Sequence, residues 1–142
     1  MANSQAFCSS AKVEYMTGVH VLGTDTLKAA LYVTTASLGA STTVYSATGE
    51  VAGTNYTAGG ITVTSGAAPS LSGTTAIFTP TANFIWTTVT LSTAFDAVLV
   101  YNSSKSNKAL SVHTFSAQTV TAGNFSLSMP VNAPGTALIQ IA

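Results

Sequence analysis

The chain has 142 residues, four lysines, four acidic residues, no arginine and zero formal net charge. Only 6% of it is charged, against about 25% in ordinary soluble domains, so it lacks the field that draws proteins to nucleic acid or anionic lipid. The length suits one domain whose core needs neither metal nor disulfide.

Ser and Thr fill the polar positions, about three residues in ten. Threonine's branched Cβ suits a pleated surface. So few charges leave that surface poorly defended against association. We therefore expect self-association, as a dimer or trimer, or cover by a partner. No apolar run approaches the roughly 18 residues of a membrane helix, so no membrane partner is expected.

Residues 1–10 read as an amino-terminal arm without the basic and apolar regions of a secretory signal, and residues 11–142 as the folded domain. The single cysteine, Cys8, excludes an internal disulfide. It reads as a buried, inert thiol, with an intermolecular bridge as the alternative. Residues 11–17 suit one or two helical turns capped by Ser9 or Ser10 and stopped by Gly18; a strand over 19–22 is the alternative there.

Residues 26–34 predict a strand, since Leu31, Tyr32 and Val33 favour sheet. Residues 45–60 hold four glycines with Tyr45, Val51 and Tyr56 as apolar anchors, the pattern of a packed loop. Within it Glu50 either docks on a partner's basic group or accepts hydrogen bonds from the backbone of the glycine turns, the reading we favour.

Further strands are expected over 61–64, 75–79 and 83–91, with a turn over 65–73. Residues 97–101 form an unbroken apolar run, 102–107 a polar turn and 109–115 a partly alternating run, together a hairpin at the centre of the fold. Residues 118–121 and 124–129 predict a strand pair about Ala122-Gly123, and 136–141 closes the chain. About eight strands at this spacing indicate an all-β, single-domain β-sandwich or jelly roll.

No catalytic, cofactor or metal constellation stands out. The four acids share no motif suited to glycoside hydrolysis. Cys8, His20 and His113 are the whole supply of Cys and His, too few for an ordinary zinc site by spacing. A triplet of some serine, His113 and Asp96 arises by chance among so many serines. Trp86, alone in an apolar strand, reads as core rather than a sugar-stacking ring.

Three stretches together resemble small structural proteins of tailed-bacteriophage virions. They are Leu27-Lys28-Ala29-Ala30-Leu31-Tyr32, the block Tyr45-x-Ala47-Thr48-Gly49-Glu50-Val51-x-Gly53-x-x-Tyr56-x-Ala58-Gly59-Gly60, and Val100-Tyr101-Asn102-Ser103-Ser104-Lys105-Ser106-Asn107. The likeness runs over most of residues 26–142. It implies a non-enzymatic capsid decoration, or cement, protein that binds the outside of the head and stabilises contacts between major capsid subunits. Tail, neck or fibre component is the alternative, as is a receptor- or carbohydrate-binding module of the virion. Its implied place is the virion, assembled in the host cytoplasm, its partner the major capsid protein, with no cofactor. Phe7, Cys8, Glu50, Asn55 and Tyr56 are the candidate interface residues.

Overall fold

The computed structural model describes residues 2–64 and 68–142. Its elements in order are β1 (Ala6–Phe7), α1 (Ser9–Met16), β2 (Leu27–Val33), β3 (Ile61–Thr62), β4 (Ser70–Ser72), β5 (Thr75–Phe78), β6 (Phe84–Asn102), β7 (Lys108–Leu127) and β8 (Ile139–Ile141). Every pairing is antiparallel. One sheet runs β1-β7-β6-β2-β3 and the other β4-β5-β8. The chain is thus mostly β, with one short helix.

The expected hairpin is the centre of the larger sheet. β6 and β7 pair from Asn102 opposite Lys108 out to Phe84 opposite Leu127, and β2 lies on the other side of β6 from Leu27 opposite Asn102 to Val33 opposite Phe95. Residues 97–101 are buried throughout, as their unbroken apolar run predicts. A fully buried Val or Leu there stabilises the fold by about 1.5–3 kcal/mol.

The five short strands expected between 83 and 129 merge into two long ones, of 19 and 20 residues. The breaks foreseen as turns are absorbed as bulges, which take up an extra residue without ending the pairing. Ala122 (φ 46°) marks one of them, a further bulge at Thr88 (φ 53°) falls inside the strand expected over 83–91, and Gly123 lies opposite Val89 within the ladder rather than in a turn. Of the turn expected over 65–73, residues 65–67 lie outside the described residues, and β4 occupies its end. The alternative strand over 19–22 does not form.

The stretch expected as an arm is tied to the body wherever it is described. Ala6 pairs with Val112 and Phe7 with Ser111, and the Cys8 N–H donates to Leu110 O at 2.9 Å. Asn3 Nδ2 donates to Val33 O at 3.0 Å and to Asp96 Oδ1 at 2.6 Å. β7 would otherwise present bare peptide groups here, and the amino-terminal segment supplies their partners. The helix then begins at Ser9, two residues before the expected start at residue 11, so its N-cap precedes both expected caps. Cys8 holds the N-cap position with no side-chain bond, while Gly18, at φ 72°, ends the helix as expected.

Cys8 is fully buried, in agreement with the inert-thiol reading. Burial, and secondarily the Glu14 charge, push its pKa to about 11. We expect no labelling by a thiol reagent at about pH 8 in the folded protein and prompt labelling in denaturant. Labelling of native protein at the unfolded rate would show that the segment around β1 detaches.

Candidate interaction surface

Half of the chain's charged residues converge where α1, the loop after it and the β6–β7 turn meet. Glu14, on the last turn of α1, binds Lys108 Nζ through Oε1 and His20 Nε2 through Oε2, the latter at 2.9 Å. His20 Nδ1 lies 3.0 Å from Asn102 Nδ2, which also donates to Asp25 Oδ2 at 2.7 Å. Asp25 in turn accepts from the Val21 N–H at 2.8 Å and sits 3.7 Å from Lys105 Nζ.

Asn102 is wholly buried and fixes the directions of this network. Its Oδ1 accepts from the Ser104 N–H at 3.0 Å, so its amide nitrogen must face the imidazole. His20 Nδ1 is therefore an acceptor, and the ring carries its hydrogen on Nε2, toward Glu14. Both ring nitrogens are committed inside the cluster. The arrangement clamps the helix to the central hairpin.

Burial pushes the Glu14 carboxyl upward, but the bonds and charges of Lys108 and His20 outweigh it and hold the group below its ordinary value. Burial acts likewise on Asp25 and is outweighed by the Val21 N–H, the Asn102 amide and the charges of Lys105 and His20. A depressed folded-state pKa adds stability above the unfolded value and loses it as pH falls through the folded one. Unfolding free energy should therefore be level above about pH 5 and decline progressively below about pH 4. A urea-midpoint profile still flat near pH 2 would remove the clamp's electrostatic role.

Tyr15 packs on His20 at the edge of this cluster, 5.0 Å between ring centroids, whereas Ser111, His113 and Asp96 stand apart from it. Ser111 Oγ and His113 Nε2 are 2.8 Å apart on β7, yet Asp96 bonds Asn3 instead, so the Ser, His113 and Asp96 triplet does not come together. Burial lowers the His113 pKa to about 4, and Ser111 is 2% exposed. Among the described residues no group of three His, Cys, Asp or Glu side chains could hold a metal ion, and no helix is long and apolar enough to cross a membrane.

The glycine-rich segment seals the sheet edge beyond β3. Val33 N–H donates to Gly49 O at 2.9 Å and Val51 N–H to Leu31 O at 3.0 Å, and Thr54 and Thr90 exchange two bonds of 3.1 Å. Glu50 faces inward. Its carboxylate accepts from Tyr45 Oη at 2.6 Å, Tyr56 Oη at 2.8 Å and the Gly59 N–H at 2.8 Å. The Gly59 bond matches the favoured backbone reading; the two tyrosines are additional. Burial and the Glu50 bond raise the Tyr45 pKa to about 12.

The five candidate interface residues therefore do not meet on one surface. Cys8 is buried and offers nothing to a partner of the folded chain. Tyr56 turns its hydroxyl into the loop, accepting from Leu31 N–H at 3.0 Å as it donates to Glu50. Asn55 is exposed, but its amide donates to Thr88 O at 2.9 Å. Trp86 is 3% exposed and packs on Phe125, 5.7 Å between ring centroids. Only Phe7, half-buried, belongs to an open feature.

That feature is an apolar groove between α1 and the three-stranded sheet. Leu71 lies opposite Ala76 and Ala76 opposite Ile141, so the three side chains form one row on one face of that sheet. All are exposed, Leu71 at 73% and Ile141 at 54%. Across the groove stands Met16 of α1, 88% exposed. Phe7, Lys12, Tyr15, Met16, Gln140 and Ile141 line a cavity of about 390 Å3 between them. The sequence reading missed this band because its members come from three separated segments; Leu71 and Ile141 are neighbours only through the register of β5. Comparison with protein-family models, curated proteins and solved structures finds no match to the chain.

Proposed function

We propose that this protein is a structural component of a tailed-bacteriophage virion, of the capsid-decoration kind. In this reading it sits on the outside of the head, assembled in the host cytoplasm, and stabilises contacts between major capsid subunits without catalysing a reaction. The five- and three-stranded sheets are the two layers of a sandwich serving as a rigid wedge.

The observation that supports the reading is the exposed apolar band formed by Met16 and Ile141 about one cavity and by Leu71 on the same sheet face as Ile141, on a chain that turns half of its charged residues into an internal clamp. Exposed apolar patches rimmed by polar residues are characteristic of binding surfaces. Residues 3–8 are held by the protein's own body, so the band, rather than an amino-terminal arm, is the docking surface we assign. A ligand that binds only the closed shell stabilises it by linkage. Many copies on a symmetric lattice act together, and a contact with little charge depends weakly on salt.

Localisation on the virion by electron cryo-microscopy tests the assignment, with density on the head expected. Density on the tail or neck would replace decoration by a tail-component role. Heads lacking the protein should rupture at lower temperature, and adding purified protein should restore them. Met16→Lys with Leu71→Lys should abolish that restoration while leaving the fold intact. Equal heat resistance with and without the protein would refute the stabilising role.

A further inference from the structure

We propose that the outer edge of β7 is a self-association surface, on which the β7 of a second copy lies antiparallel about a twofold axis. This inference goes beyond the shell-binding reading and uses a different part of the molecule.

β7 is 20 residues long, but β1 covers it only at Ser111 and Val112, with Cys8 bonding Leu110 and residues 43–44 beside residues 108–109. From His113 to Leu127 that side of the strand has no main-chain partner among the described residues. A strand edge with unpaired N–H and C=O groups is a template for another strand, and proteins that remain monomeric blunt such edges with lysine, proline or bulges. β7 has bulges, at Ala122 and between Thr114 and Gln118. It has no proline, and no Asp, Glu, Lys or Arg occurs from residue 109 to 142.

That absence selects the occupant. In a twofold pair each edge meets its own copy, so any charge on it lies close to its like and opposes pairing. This edge carries none, and a charged partner would gain no attraction from it. The run after the Ala122 bulge, Gly123 to Leu127, carries no extra residue of its own, and main-chain pairing falls there. Phe125 points into the core there, and Asn124 and Ser126 are exposed.

Sedimentation equilibrium of the purified chain over a concentration series tests the proposal. The expected result is a shift from 14.3 kDa toward twice that mass. Ser126→Lys should weaken the association by about tenfold or more, and Leu71→Lys should leave it unchanged. Hydrogen exchange on the unaltered chain supplies a readout independent of the variant's folding, with amides 123–127 gaining protection as concentration rises. A monomer at every concentration would overturn the proposal, as would a dimer lost in Leu71→Lys but kept in Ser126→Lys.

Discussion

Gly60→Ala should cost more than about 4 kcal/mol, enough to leave a domain of ordinary stability, about 5–15 kcal/mol, close to unfolding. Gly60 has a φ of +71°, and a Cβ built on it would lie 1.8 Å from the Ala29 carbonyl oxygen and 2.7 Å from Ala30 Cα. Both obstacles are backbone of β2, whose other side is hydrogen-bonded to β6, so neither can retreat without breaking the central sheet. The loop must come this close because Tyr101 Oη donates to Gly59 O at 2.8 Å and Glu50 accepts from the Gly59 N–H. Gly73→Asn is the matched control. That glycine also has positive φ, at +61°, but nothing lies within 4 Å of its added Cβ, and asparagine tolerates this conformation. Its cost should be within about 1 kcal/mol. Urea unfolding of both variants gives the comparison, and a Gly60→Ala protein as stable as the control would mean that the loop does not press on β2.

Asn102→Ala should destabilise the protein by about 3–5 kcal/mol. Asn102 is wholly buried and serves three neighbours at once: His20, Asp25 and the Ser104 N–H. Alanine leaves all three polar groups short of a partner, and water has little access to replace it. The effect should depart from additivity with Glu14→Gln, since both residues act on His20 and contacting residues couple. A double-mutant cycle by chemical denaturation measures this. A loss below about 1 kcal/mol for Asn102→Ala would show that the cluster forms without it.

The two expectations rest on residues of very different legibility. The apolar run at 97–101, the polar turn after it and the strand over 26–34 are local signals of β-branched and aromatic side chains, and the hairpin with β2 beside it follows them. The packed, glycine-rich loop was also readable, because four glycines among apolar anchors describe a chain making close approaches. Asn102 carried no such signal. It stood as the first residue of a polar turn, and only the approach of His20 and Asp25, 82 and 77 residues away in sequence, makes it a hub.

The all-β character, the helix stop at Gly18 and the scarcity of charge are properties of the sequence alone, because each depends on residue type and near neighbours. Tertiary structure decided the rest. It merged five short strands into two, because pairing across a ladder continues through a bulge that local turn propensity cannot anticipate. It bound the amino-terminal segment to β7, because the exposed edge supplied partners that the segment's own composition did not announce. It also brought Met16 and Ile141 about one cavity and set Leu71 in a row with Ile141, since contact between distant segments is set by packing and strand register and not by the residues' own character.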